Sequence, residues 1–310
     1  MGGLLTELGK KIAERWLSLL VLPGALYLAV VATACALGHT HPFDLSRLTG
    51  RVTAWATLPA VGTVGGGAVL LAAVLAGAAA AGIAAQALGS AVERLCLAVD
   101  WFAWPRPFRL WAAWHTGRRR RRWAAAARVW HRAREDAARA LARGRRTDSA
   151  ARQAAEHALT RIAPEEPARP TWSGDRLNAV AVRLDRDLHL DLAAVWPHLW
   201  LVLPEETRAE ITAARRALAR ATVLAAWSLL YLPLTVRWWP AALITVIVAL
   251  TARVRTRAAT DTYALLLEAA TRLYARDLAD RLGLGPGEPL TPETGDTLTR
   301  HLTPSPPPLG

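Results

Sequence analysis

Two groups of titratable side chains have residue types and spacing suited to chemistry. His39, His41 and Asp44 form an H-x-H pair with a nearby carboxylate, and such nitrogen and oxygen atoms can bind a transition metal. Asp185 and His189 are four residues apart, which places both on one helix face, within reach of each other for acid–base work. The H-x-H group has no further cluster of ligands elsewhere in the chain that could complete a metal site. The Asp185 and His189 pair is explained by the solvent-exposed face of a helix. We therefore interpret both groups as polar surface residues.

Other signatures of catalysis are missing from the sequence. It contains no phosphate-binding loop, dinucleotide fingerprint or nucleophile elbow. Cys35 and Cys96 lie in or beside apolar runs, which is typical of small buried hydrophobic residues rather than of a disulfide. We expect no catalytic residue, no metal and no cofactor, and an enzyme is the least favoured function.

The strongest chemical signal is a basic, tryptophan-rich stretch. The 310-residue chain has a net charge of +13, and residues 105–146 contain fourteen arginines but only two acidic residues. Trp rings favour the headgroup level of a bilayer, and each Arg near an anionic leaflet contributes about 1 kcal/mol. We therefore expect anionic lipid or a protein partner to bind here; a solvated helix surface stays an alternative, and nucleic acid is not the expected partner. The residues expected to make this contact are Arg118, Arg119, Arg120, Arg121, Arg122, Trp111, Trp114 and Trp123.

Long uncharged segments predict the elements that hold this stretch at a membrane. Residues 16–37 and 61–87 are each at least 22 residues long, enough for a helix to cross a hydrocarbon core of about 30 Å. Residues 221–236 and 238–252 are apolar but shorter, and they flank Arg237. Two further spans joined by a tight turn are favoured over a re-entrant hairpin. Small residues that predict close helix packing are Gly62, Gly66, Ala78 and Gly82.

The distribution of basic residues predicts the orientation. Arginines and lysines precede the first apolar segment and follow the second and fourth, whereas the loop between the first two has only Arg47 and Arg51. The positive-inside rule then places both termini and residues 88–220 in the cytoplasm. The bias toward Ala, Arg, Gly and Pro is typical of a bacterial genome of high GC content. We therefore expect a multi-pass protein of the bacterial cytoplasmic membrane.

The polar segments predict helices punctuated by prolines. Residues 164–170 contain three prolines and predict a linker or turn. A helix follows, with Ser173 or Asp175 as its predicted N-cap. The tail beyond residue 282 is polar and Pro-rich, and we expect it to be flexible apart from one short helix. The apolar face of the helix after the turn is formed by Leu177, Val180, Leu184 and Leu188.

Two short motifs in this region resemble a known group of proteins. Arg176, Leu177 and Asn178 lie near the helix start, and the WPHLW segment 196–200 follows. Together with the order of the spans, these motifs resemble uncharacterised bacterial multi-spanning membrane proteins over most of residues 90–282. His198 replaces the commoner basic residue of that group. The resemblance implies a membrane location and a similar layout, and it carries no activity.

These observations predict an all-α integral membrane protein with four transmembrane helices and a helical cytoplasmic module. We expect a membrane-anchored scaffold or accessory protein that contacts anionic lipid and a protein partner. An oligomeric channel or permease-like transport protein is the alternative. The predicted regions are an N-terminal transmembrane pair (1–90), a cytoplasmic module (91–220), a second transmembrane pair or re-entrant hairpin (221–252), and a cytoplasmic helix with a flexible tail (253–310).

Overall fold

The computed structural model describes residues 21–40, 42–57, 63–145, 149–284 and 290–303. Within these ranges the chain is helical and contains no β-strand, so the predicted all-α fold class is confirmed. The described residues form two units. The first unit comprises those up to Glu93 together with Ala219–Arg255, and the second comprises Arg94–Leu218 together with those from Thr256 onward.

Long helices dominate both units. Each unit also contains a short 3₁₀ turn, Leu232–Val236 in the first unit and Trp101–Ala103 in the second. In chain order the helices are α1 (Leu22–Leu37), α2 (Leu45–Ala56), α3 (Val64–Leu97), α4 (Arg106–Ala142), α5 (Ser149–Thr160), α6 (Trp172–Leu188), α7 (Leu192–Val202), α8 (Glu205–Tyr231), α9 (Pro240–Arg281) and α10 (Pro292–Leu302). The boundary between the units falls within α3, α8 and α9, so each of these helices contributes to both.

Two helical segments are long and apolar enough to cross a membrane, namely Gly65–Leu97 and Glu205–Val236. They overlap the predicted spans 61–87 and 221–236. Helix α1 is apolar but has only 16 residues, and residues 16–20 of the predicted first span lie outside the described ranges. The predicted fourth span is the beginning of α9, which continues without a break into the charged helix that follows it.

In the first unit, helices approach so closely that glycine is required at the contacts. A Cβ atom on Gly24 of α1 would lie 2.0 Å from the carbonyl oxygen of Ala78 on α3. A Cβ on Gly89 of α3 would lie 2.6 Å from Cγ2 of Val223 on α8. The Tyr27 hydroxyl also donates to the Leu230 carbonyl over 3.3 Å. Helices α1 and α8 therefore both pack on the face of α3 that carries small side chains, where dispersion contacts are closest.

The second unit has an apolar core built from α6, α7, α8, α9 and α10. Val180 and Leu184 are fully buried, and Leu177 and Leu188 pack against the same core, so the predicted apolar face is confirmed. The WPHLW segment lies in α7, where Leu199 is buried and the rings of Trp196 and Trp200 are 5.8 Å apart. The core residues from the remaining helices include Ile211, Ala264, Leu267, Ala270, Ala275, Leu278 and Leu298.

One local prediction differs from the structure, and another matches it in part. Helix α6 begins at Trp172, and Thr171, rather than Ser173 or Asp175, is its N-cap, accepting a hydrogen bond from the Gly174 amide. The one short helix predicted in the C-terminal region is α10. This helix is packed in the core through Leu298, which is fully buried, and its Gly295 lies close to the Leu188 carbonyl at the end of α6. Residues 304–310 lie outside the described ranges.

Candidate functional site

Helix α4 carries the arginine- and tryptophan-rich stretch, and helical geometry divides that stretch into two sides. Consecutive residues are rotated by roughly 100° around a helix of 3.6 residues per turn. Ala112, Thr116 and Ala127 are buried and define the inner side. The residues on the outer side are exposed, and they are Trp111, Trp114, Arg118, Arg121 and Arg122. We call these five residues the outer face of α4.

The inner side of α4 binds the proline-rich turn at residues 162–171. Arg119 donates to the carbonyls of Ile162 over 2.6 Å and Arg169 over 3.2 Å. Arg120 Nε donates to the Pro167 carbonyl over 2.7 Å, and Trp123 Nε1 donates to the Ala163 carbonyl over 3.0 Å. Three of the eight residues predicted to bind lipid or a partner therefore make hydrogen bonds within the chain.

Further donors complete the attachment of this turn. His115 Nδ1 lies 2.9 Å from the Pro170 carbonyl, and Trp101 Nε1 donates to the Ala168 carbonyl over 3.2 Å. Pro167 and Pro170 are fully buried and have no N–H group of their own, so a regular backbone ladder cannot form here. Side chains satisfy the buried carbonyls in its place. The segment predicted as a linker or turn is thus a turn packed onto α4.

Asp175 is the acidic centre of this arrangement. Its Oδ1 accepts from the backbone amides of Ala168, over 2.9 Å, and Arg169, over 2.7 Å. Its Oδ2 lies 2.8 Å from Arg119 Nη1. Burial raises the pKa of the Asp175 carboxyl, against the lowering effect of Arg119 and the two amides. Burial likewise lowers the pKa of Arg119, against the effect of Asp175. This carboxylate holds the turn in place through the two hydrogen bonds of Oδ1 and the ion pair of Oδ2 with Arg119.

The outer face of α4 is basic and aromatic. Trp111 and Trp114 are 55% and 56% exposed, and the Arg118 guanidinium lies 5.7 Å from the centroid of the Trp114 ring. Phe108 and Leu110 add exposed apolar surface in the preceding turns. A helix side that presents large apolar side chains beside arginines suits an interface between water and an anionic leaflet.

Three of the four residues predicted to pack helices lie on α3. Ala78 and Gly82 are buried, Gly66 is partly buried, and Gly62 lies outside the described ranges. The buried face continues through Ala85 and Gly89 at helical spacing. Sequence reasoning missed Gly89 and Gly24, and the signal that could have found Gly89 is its spacing of seven residues from Gly82.

The two groups first considered for chemistry are not brought into a catalytic arrangement in the described part of the chain. His189 ends α6 in the left-handed conformation with φ of 50°, and its amide donates to the Asp185 carbonyl. His41 lies outside the described ranges. Within those ranges, no three His, Cys, Asp or Glu side chains are grouped for a metal.

Comparison of the chain with protein-family models, with curated proteins and with solved structures found no match.

Proposed function

We propose that this chain is a multi-pass protein of the bacterial cytoplasmic membrane and serves as a membrane-anchored scaffold or accessory subunit. In this proposal the outer face of α4 contacts anionic lipid, and the helical module offers further surface to a protein partner. The observation that carries the proposal is the outward orientation of two tryptophans and three arginines on one side of α4.

The apolar surface of α3 supports the membrane location. Only 17% of the most apolar 18-residue stretch of this helix is buried, whereas the core helix of a soluble protein is mostly buried. Val69 and Leu71 are 70% and 61% exposed. Leaving such a helix in water forgoes roughly 25 cal/mol for every Å² of apolar surface, which a hydrocarbon environment recovers.

The proposed layout has four spans with both termini in the cytoplasm. In addition to Gly65–Leu97 and Glu205–Val236, it uses α1 and the beginning of α9 as spans. Contacts between the two predicted external loops are consistent with this layout. Trp238 Nε1 donates to the Pro42 carbonyl over 3.0 Å, and the rings of Phe43 and Trp239 are 5.7 Å apart. The bacterial multi-spanning proteins that the chain resembles have the same order of elements, and this resemblance is part of the proposal.

Electrostatics support anionic lipid as the ligand of the outer face. At about 1 kcal/mol for each arginine near an anionic leaflet, Arg118, Arg121 and Arg122 together contribute about 3 kcal/mol. Arg119 and Arg120 are not counted, because their guanidinium groups already bond to the chain. The tryptophan rings add burial at headgroup level.

Spin-label depth measurements on the full chain in lipid nanodiscs test this proposal. A label is attached at Leu110→Cys after the native cysteines have been replaced by serine. In nanodiscs with anionic lipid, we expect the label to be protected from a water-soluble nickel complex and accessible to oxygen. The triple variant Arg118→Gln, Arg121→Gln, Arg122→Gln is expected to lose most of this protection.

The matched control removes three charges elsewhere in the same unit, through Arg276→Gln, Arg281→Gln and Arg300→Gln. This variant is expected to keep the wild-type depth. Equal protection of the label in anionic and purely zwitterionic nanodiscs would contradict the lipid contact. The scaffold role is tested separately by reconstituting the protein alone; steady ion conduction by a homo-oligomer would favour the transport alternative.

A further inference from the structure

A cavity of about 500 Å³ lies in the second unit, between the end of α5, helix α6 and helix α9. Arg161, Arg176, Arg183 and Arg257 line it together with a single acid, Asp261. Trp172 forms part of the wall. The volume is within the range of about 300–1,000 Å³ that small-molecule sites occupy. Helical spacing accounts for part of the lining, because Trp172, Arg176 and Arg183 recur at intervals of four and seven residues along α6.

The two deeper arginines have donors without partners. Arg176 is only 9% exposed, and its Nε pairs with Asp261 Oδ1 over 2.5 Å, but its buried Nη1 has no hydrogen-bond partner among the described residues. Arg183 Nη2 donates to Glu268 Oε2 over 2.7 Å, while its buried Nε has no partner there either. A buried donor left unpaired costs about 1–3 kcal/mol, and more when it is charged. The guanidinium groups of Arg176 and Arg183 can therefore each donate a hydrogen bond to an additional acceptor.

Arginines outnumber acids along the lining of the cavity. Four lining arginines face one lining carboxylate, and Glu268, just outside the lining, balances a second arginine. The guanidinium of Arg257 also lies 4.7 Å from the centroid of the Trp172 ring, which fixes one donor group on a rigid aromatic surface.

From this geometry we propose that the cavity binds a phosphate group, carried either by a small soluble molecule or by a lipid headgroup. A guanidinium presents a planar fork of donors that fits phosphate oxygens, and several forks around one cavity match a dianion with three acceptor oxygens. The site is separate from the outer face of α4, and it does not depend on the proposed membrane function.

Calorimetric titration of the full-length protein in zwitterionic nanodiscs tests the site at constant ionic strength. The soluble probes are inorganic phosphate and glycerol 3-phosphate. The lipid probe is dihexanoyl phosphatidic acid, with dihexanoyl phosphatidylcholine as the matched control. Saturable binding of a soluble phosphate supports the site with a small molecule as the source. Saturable binding of phosphatidic acid alone supports it with a lipid as the source.

Two variants separate binding from folding. Arg257→Gln and Arg161→Gln each remove one lining guanidinium, and each is expected to weaken phosphate binding by about tenfold, since hydrogen bonds to charged groups contribute about 1.5 kcal/mol or more. Arg276→Gln, on α9 but outside the cavity, is expected to leave binding unchanged. Absence of saturable binding by all three phosphate probes, or unchanged binding in both lining variants, would overturn the proposal.

Discussion

Arg119 Nη1 lies 2.8 Å from Asp175 Oδ2, and the two side chains are 11% and 2% exposed. The pair joins α4 to the beginning of α6, and the same arginine also bonds to two carbonyls of the turn between them. A buried ion pair is costly to break, because removal of one partner leaves an uncompensated charge. The turn at 162–171 is therefore fixed by electrostatics as well as by its prolines.

Asp175→Asn should destabilise the second unit. Arg119 loses its buried counter-ion, although it keeps two carbonyl acceptors, so we expect a loss of about 3 kcal/mol in the free energy of unfolding. Thermal unfolding combined with hydrogen exchange of the amides in residues 162–171 measures this. Asp136→Asn is the control, because Asp136 is exposed and pairs only on the surface of α4. Equal exchange of the turn in both variants would contradict the role of Asp175.

Neighbouring arginines on α4 should respond differently to the same substitution. Arg119→Gln is expected to speed exchange in the turn and to lower the unfolding temperature, because it removes hydrogen bonds from buried carbonyls. Arg121→Gln, on the outer face, is expected to change stability by less than about 0.5 kcal/mol. Circular dichroism melts of the two variants provide the comparison. Identical melting temperatures would show that the inner and outer sides are wrongly assigned.

Gly24→Ala should disturb the contact between α1 and α3. The added methyl group would meet a backbone oxygen of Ala78 at 2.0 Å, and the backbone cannot rotate away as a side chain can. We expect a destabilisation of about 1–3 kcal/mol, as for other overpacked contacts. Gly65→Ala is the matched control, since nothing lies within 4 Å of its Cβ position. Thermal stability in detergent distinguishes the two, and no difference between them would refute the close approach.

Leu298→Ala tests whether α10 belongs to the core. Leu298 is fully buried, so its truncation is expected to cost about 2–5 kcal/mol. Leu201→Ala is the control, because Leu201 is 75% exposed and should lose less than about 0.5 kcal/mol. Limited proteolysis near residue 290 and thermal unfolding both report the effect. If Leu298→Ala behaves like Leu201→Ala, α10 does not contribute to the core.

The Asp187–Arg272 pair should give the second unit a pH-dependent contribution. The hydrogen bond from Arg272 to Asp187, 2.6 Å long, lowers the pKa of this carboxyl below its ordinary value. The folded state therefore favours the ionised form, and its stabilisation is present above an unfolded pKa of about 3.9 and lost as the pH falls through the folded value. The pair is largely exposed, so the effect should stay below about 1 kcal/mol.

Melting curves of wild type and Asp187→Asn between pH 3 and pH 7 measure this contribution. The wild type should be the more stable of the two at pH 6 to 7, and the difference should shrink as the pH falls below about 4. A difference that stays constant over the whole range would rule out an electrostatic origin.

Local patterns in the sequence were sufficient for the helical fold. Spacings of three and four residues among Leu177, Val180, Leu184 and Leu188 placed one side of α6 in the core, and the long uncharged segments gave the two helices able to span a membrane. These features depend only on residues close together in the chain. For that reason they are readable without coordinates.

Contacts between distant residues could not be read in this way. Asp175 is 56 residues from Arg119, and the sequence offered it only as a helix cap. The cavity depends on the approach of α6 to α9, which brings Arg176 to Asp261, 85 residues further along the chain. The sequence placed Gly24 only within a long uncharged segment, whereas in the structure its lack of a side chain admits the carbonyl of Ala78. Pairings of this kind follow from tertiary packing and not from composition.

Because five consecutive arginines lie in α4, part of this helix can shift its register by one residue and keep the same side chains on its inner side. If a single-residue insertion or deletion before position 118 rotated the helix by one residue, arginines would still fill the two inward sites now held by Arg119 and Arg120. Trp123 and His115 could not be replaced in this way, because neither has a residue of its own type beside it in the sequence. Length variation in the preceding turns of α4 should therefore preserve the arginine bonds to the proline-rich turn, while the contacts of the tryptophan and histidine rings would be lost.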